Sequence, residues 1–217
     1  MSSFIPQLVF LAVGGSIAPP LLLLTILFLG SRRPLPNASA FALGYFTTCA
    51  AMGIVGLTLF GGAGDAASTI SRVISATVGF LLIVLGLRNL LNAPDPDAQP
   101  PRWMESVSSM SSPRAFALGM ALFAIQIKNL AIFVACLELI VAASLGPRGS
   151  AVALGLVLLV FAIPVFVLIG LYATVPQRAS EVLGSLRRWM EKNGRAITIV
   201  LCFVFGVFFL IRGLWGA

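Results

Sequence analysis

The stretch FAIQIKNLAIF, residues 123 to 133, sets an ammonium, Lys128, and two amides, Gln126 and Asn129, in the middle of an apolar run from about Ala115 to Ala143. A charged side chain at the centre of a bilayer costs about 2.5 to 3.5 kcal/mol on the mildest scale. Near a helix end a lysine escapes that cost by snorkelling to the headgroups. From residue 128 either end lies some 13 to 15 residues away, about 20 Å along a helix, which is beyond the side chain's reach. Lys128 is therefore expected to face the bundle interior or a cavity, with Gln126 and Asn129 as neutral donors and acceptors beside it. Such a cluster can hold an anionic group or serve a proton-linked step. The competing reading is a structural lysine, uncharged and bonded to stranded backbone carbonyls.

A source of stranded carbonyls lies in SIAPP, Ser16 to Pro20. Pro19 and Pro20 remove two backbone donors and their rings clash with the preceding turn, so a helix must kink or unwind there. Irregular backbone at membrane depth is tolerated where protein or a wet cavity supplies partners. Ser16 at this break joins the candidate ligand set. Glu138 is the one acid inside an apolar run, ten residues beyond Lys128. On a continuous helix that is about 15 Å, too far for an ion pair. Two readings of Glu138 stand: a proton or ion-coupling residue, or a near-interface side chain paired with Arg148 or Arg212.

The elements that must position these groups follow from composition. Of 217 residues 59% are hydrophobic and 10% are charged, too little polar surface to cover a soluble globule. Six apolar runs, roughly 4 to 30, 38 to 61, 71 to 91, 114 to 143, 150 to 174 and 195 to 215, are each long enough to span a bilayer. Their length and continuity predict an all-α integral membrane bundle of six transmembrane helices, not a barrel of short alternating strands. The first run lacks a basic start and a small-residue cleavage site, and is read as a retained helix. Ten Lys/Arg lie in or beside the loops after runs 1, 3 and 5, against Arg72, Arg148 and Arg212 on the other side. That bias predicts extracytoplasmic N- and C-termini. Loops facing anionic lipid also account for the net charge of +7, so no nucleic acid partner is needed to explain it.

Internal symmetry sharpens the picture. Run 3 reads SRVISATVGFLLIVLGLRNLL and run 6 reads GRAITIVLCFVFGVFFLIRGLW, each with an early Arg, interior Gly and a closing Arg-x-Leu. Runs 1 and 4 both break near their middles, and Ala-Leu-Gly recurs at 42 to 44 and 153 to 155. An offset of three spans makes the copies opposite in topology. Two inverted three-helix repeats with interrupted helices 1 and 4 are therefore expected, residues 1–91 and 114–217 joined by a cytoplasmic linker at 92–113. That arrangement points to a secondary transporter with a midplane site. The basic stretch 176 to 194 carries Val182, Leu183, Leu186, Trp189 and Met190 at helical spacing and reads as an interfacial helix. Trp103, Met104, Val107 and Met110 suggest a shorter relative of it in the linker.

Other chemistries have little to stand on. There is no histidine, no carboxylate cluster within the runs, and no Cys-x-x-Cys among Cys49, Cys136 and Cys202, so neither a metal site nor any other cofactor is expected, and the thiols read as small buried hydrophobes. No nucleophile-base pair or carboxylate dyad lies at membrane depth, so no enzyme is expected. Glycines at 53, 56, 79 and 86 form close-packing faces for intrachain contacts or a homodimer.

The SIAPP break, the QIKNLAIF stretch as a variant of an Asn-Pro-Lys-Asn signature, and the six-span inverted layout resemble the lysine-exporter superfamily. Within it the chain is most similar to the small membrane proteins called peptidoglycolipid- or sulfolipid-addressing proteins. The resemblance covers essentially the whole chain. It implies a bacterial inner-membrane protein exporting a lipid or glycolipid, or a precursor, toward the envelope. Lys128 and Asn129 stand at the signature's last two positions, Gln126 and Ile127 replace its Asn and Pro, and Pro19 and Pro20 match the first-repeat motif. Membrane lipids and an anionic lipid or small anion are the implied partners, with Lys128, Asn129, Gln126 and Ser16 binding the substrate. Two alternatives remain: an exporter of a small polar solute, with a closed central cavity where a lipid exporter needs a lateral opening, and a non-transporting scaffold for envelope-lipid synthases. The scaffold reading expects Lys128→Ala to be silent and changes at Arg187 or Arg188 to abolish function.

Overall fold

Apolar runs and their punctuation set the helix boundaries in the computed structural model, which describes residues 4–61, 66–91, 107 and 109–215. The helices are α1 (Phe4–Ser16), α2 (Pro19–Leu29), α3 (Pro34–Gly61), α4 (Ala66–Leu91), α5 (Ser112–Ile125), α6 (Ile127–Ala142), α7 (Gly146–Thr174) and α8 (Pro176–Trp215). Proline stands in the first turn of α2, α5 and α7, where its missing N–H costs nothing and its fixed φ favours entry into the helix.

Among the described residues, three stretches are long and apolar enough to cross a membrane: Pro34–Phe60, Gly146–Thr174 and Lys192–Ile211. Two bent pairs raise the number to as many as five if each is one span, α1 with α2 at 51° and α5 with α6 at 73°. Run 3 appears as α4, whose apolar part, Ser75–Leu91, falls short of a full span by length. The chain is thus an all-helical, multi-pass membrane protein.

Both expected interruptions are present, and their causes differ. Between α1 and α2 the prolines enforce the break. Between α5 and α6 no proline is involved: Gln126, at φ −79° and ψ 79°, leaves the helical region by itself, yet the bend there is the larger. The stretch 176 to 194, expected as an interfacial helix, is not a separate helix. Asn193 Nδ2 donates to the Trp189 carbonyl and Thr198 Oγ1 to the Gly194 carbonyl across the expected boundary, and α8 runs unbroken through 40 residues. Leu183 and Met190 are buried while Val182 and Trp189 are exposed, so one face packs inward. Of the linker's apolar residues, Val107 is buried and the Met110 carbonyl accepts a hydrogen bond, whereas Trp103 and Met104 lie outside the described residues.

Close packing relies on glycine. Along the α4–α8 pair, a Cβ added at Gly79 would lie 2.6 Å from the Leu210 nitrogen, and one at Gly213 would lie 2.5 Å from the Ala76 nitrogen. In the α3–α5 seam Gly44 meets the Phe116 carbonyl and Gly119 the Phe41 carbonyl, backbone against backbone. Gly53, Gly56, Gly79 and Gly86 all contact side chains or backbone of this same chain, so these faces are spent within the monomer. Cys49, Cys136 and Cys202 are buried. A ladder of rings, Tyr45, Phe123, Phe133 and Phe161, joins α3, α5, α6 and α7 with centroid separations of 5.2, 5.5 and 6.1 Å.

One polar clamp ties the connection after α2 to the start of α5. Asn37 Nδ2 donates to Ser31 Oγ at 3.1 Å and to the Met110 carbonyl at 3.0 Å, and Ser112 Oγ donates to Asn37 Oδ1 at 2.8 Å. Asn37 is fully buried. Asn37→Ala orphans the Met110 carbonyl and both hydroxyls, and is expected to lower stability by about 1 to 3 kcal/mol, read as a fall in the thermal midpoint of detergent-purified protein.

Candidate functional site

The two breaks meet. Lys128 Nζ reaches the Ile17 carbonyl at 2.7 Å, the short separation of a charge-assisted hydrogen bond. This carbonyl is stranded because α1 has ended at Ser16 and α2 begins at Pro19. Glycine lets the break be approached: the Phe205 ring lies over Gly14 and the Phe161 ring over Gly15. On the far side, Pro19 touches α8 near Gly194.

The two half-helix starts are chemically unequal. In α6 the first intrahelical bond runs from Leu130 N–H to the Gln126 carbonyl at 2.9 Å, so the N–H groups of residues 127 to 129 project from the positive end of the helix. In α2 the corresponding bond runs from Leu22 N–H to the Ala18 carbonyl, but Pro19 and Pro20 carry no N–H, which leaves Leu21 alone. Anion-attracting backbone therefore belongs to the second break, beside Lys128.

The amides are tied to each other and to α3. Asn129, 1% exposed, donates through Nδ2 to Gln126 Oε1 at 2.7 Å and to Tyr45 Oη at 3.0 Å. Gln126 Nε2 and Asn129 Oδ1 are buried with no hydrogen-bond partner. An orphaned buried polar atom costs about 1 to 3 kcal/mol, so one donor and one acceptor are held ready for a ligand. Lys128 has two N–H groups besides the one on Ile17. Chemically, such donors and acceptors can hold a group that accepts several hydrogen bonds, carries negative charge and offers a hydroxyl or amide proton.

Of the residues expected here, Lys128 joins the carbonyl at the Pro19–Pro20 break, and Gln126 and Asn129 join each other. Ser16 is adjacent, but its hydroxyl donates to the Val13 carbonyl at 2.7 Å, so only its lone pairs remain. Glu138 is separate from the cluster. Its side chain is 5% exposed and accepts from Ser75 Oγ at 3.1 Å, across the α4–α6 contact. The Arg212 side chain lies outside the described residues. Tyr45 is the residue that sequence reasoning missed. It is one of two tyrosines in the chain, and a phenol in mid-run calls for a buried partner, a signal that was available.

An apolar cavity of about 550 Å³ opens on the outer surface between α3 and α7, lined by Leu43, Phe46, Leu159 and Phe166 among others, with Ser39 the one polar contributor. Phe46 stacks on Phe166 at a centroid distance of 6.4 Å and meets the Tyr45 ring edge-on at 5.2 Å. The polar site and the apolar cavity are thus back to back across Tyr45 and Phe46.

No curated protein and no solved structure matches the chain. The family described as Sap, sulfolipid-1-addressing protein, matches residues 8–215, and the chain belongs to that family.

Proposed function

We propose that the chain exports an anionic lipid or glycolipid from the bacterial inner membrane toward the envelope, as a six-span bundle of two inverted repeats with both termini extracytoplasmic. The observation that carries this reading is the meeting of the two breaks: Lys128 Nζ on the Ile17 carbonyl, with Gln126 Nε2 and Asn129 Oδ1 unpartnered at the same helix start. Membership of a family named for addressing a sulfolipid supports a lipid cargo. In this reading Lys128 draws the anionic headgroup, Gln126 and the N–H groups at the start of α6 donate to it, and Asn129 accepts from a neighbouring hydroxyl. Glu138 stands apart as a candidate for proton coupling.

The pattern of helix contacts supports the repeat. Exchanging α1 with α5, α2 with α6, α3 with α7 and α4 with α8 turns α2–α3 into α6–α7, α2–α7 into α6–α3, α2–α8 into α6–α4 and α1–α7 into α5–α3; every one of these pairs is in contact. The repeats depart from that symmetry at Ala-Leu-Gly. Gly44 lies against the Phe116 carbonyl of α5, whereas Gly155, its counterpart, has nothing within 4 Å of an added Cβ. Gly155 lines the cavity between α3 and α7 instead. The lateral, apolar cavity favours a lipid over a small polar solute.

Comparative lipidomics of inner and outer envelope fractions tests the function in wild-type, deletion and Lys128→Ala cells. The expected result is retention of one anionic lipid class in the inner fraction of both mutants. An unchanged profile in the deletion overturns the proposal, and a normal Lys128→Ala profile beside a defective deletion overturns the assigned site.

A further inference from the structure

We propose that the cavity between α3 and α7 is the berth of one hydrocarbon chain of the lipid whose headgroup Lys128 holds, so that cargo enters sideways from the leaflet nearest the Arg32–Arg33 loop. This inference rests on the lipid-export reading and names where the cargo's tail lies. The cavity's depth comes from its place on the helices. On α3 it involves residues 39 to 46, within the first half of a helix beginning at Pro34, and on α7 residues 155 to 169, ending close to Thr174. Those ends of α3 and α7 are the ones adjoining Arg32–Arg33 and the basic start of α8.

Its length suits a chain. From Gly155 to Ile169 along α7 is about 21 Å at 1.5 Å per residue, more than half of a hydrocarbon core of about 30 Å. Its chemistry admits nothing polar beyond Ser39. What sets it apart from ordinary lipid-facing surface is concavity and a wall shared with the polar site. Gly155 leaves the wall hollow, and Phe46 in that wall packs on Tyr45, whose hydroxyl holds Asn129. A chain in the cavity and a headgroup at Lys128 are then parts of one molecule straddling the Tyr45–Phe46 pair.

Gly155→Phe tests the berth, because the open space at Gly155 admits a ring that occupies the cavity without moving backbone. Gly170→Phe is the control, since Gly170 is equally unobstructed on the same helix and does not line the cavity. The full-length protein in phosphatidylcholine nanodiscs is irradiated with a minor fraction of phosphatidylglycerol bearing a diazirine in one acyl chain, and labelled peptides are mapped. Labelling is expected on the segments around Leu43–Phe46 and Leu159–Phe166. It should fall roughly tenfold, the factor corresponding to about 1.4 kcal/mol, in Gly155→Phe and hold in Gly170→Phe. Lys128→Met should lower labelling by the phosphatidylglycerol probe and leave that by a diazirine phosphatidylcholine unchanged.

Equal labelling in Gly155→Phe, labelling indifferent to Lys128, or crosslinks between Leu43 and Leu159 of two copies overturns the proposal. The function and the berth fail separately. Envelope lipids unchanged in the deletion with the expected labelling pattern remove the export reading and keep the chain site. Retained lipid in the deletion without cavity labelling does the reverse.

Discussion

Lys128→Met is expected to leave cells as defective in lipid distribution as the deletion, while the purified variant is at least as heat-stable as wild type. Methionine keeps the unbranched stem and its packing. It removes a charge whose placement at bilayer depth costs about 2.5 to 3.5 kcal/mol, against a charged hydrogen bond to the Ile17 carbonyl worth about 1.5 to 3 kcal/mol. The two nearly cancel, so folding is spared and function is not. The measurement pairs complementation of the deletion with the thermal midpoint in detergent. A lysine that only satisfies the stranded carbonyl gives the opposite result, a lowered midpoint with lipid distribution intact. The substitution thus separates a binding lysine from a structural one.

Gly119→Leu is expected to abolish the folded protein. A Cβ at this position meets the Phe41 carbonyl and comes within 2.9 Å of the Tyr45 nitrogen. Both are backbone atoms in mid-helix and neither can swing away. Forcing extra carbon into a packed interior costs about 1 to 3 kcal/mol where side chains can adjust, and more where they cannot. The α3–α5 seam would have to part, taking Tyr45 away from Asn129. Monodisperse yield on size-exclusion chromatography reads the outcome, with Gly155→Phe as the tolerated counterpart, since Gly155 has nothing near it. Recovery of Gly119→Leu at wild-type yield would mean the seam is looser than its geometry.

Much of this was legible in the sequence. Pro19 and Pro20 announce their break because proline acts on its own backbone, without reference to the rest of the fold. Lys128 announces its inward position because solvation energy leaves it few alternatives. The Ala-Leu-Gly recurrence located a pair of equivalent sites, but not that one is filled and the other hollow, which depends on how tightly each seam is closed. The cavity was beyond sequence reading, being built by residues more than a hundred positions apart. The Ser75 partner of Glu138 was equally out of reach, since it sits 63 positions away on α4. A helix boundary near residue 194 was expected because a change in composition was read as a change in structure, and α8 continues through it.

The two breaks also differ in permanence. At Pro19 and Pro20 the missing donors are absent by covalent structure, and no rearrangement can restore their two hydrogen bonds. At Gln126 every amide N–H is present, and the gap is bounded by intact bonds from Gln126 N–H to the Leu122 carbonyl and from Leu130 N–H to the Gln126 carbonyl. The bond between Asn129 and Gln126 spans that same gap. One joint of the molecule is thus a fixed hinge pin and the other a latch, with Gln126 and Asn129 as its catch. The break beside Lys128 is thus the one that no covalent feature imposes.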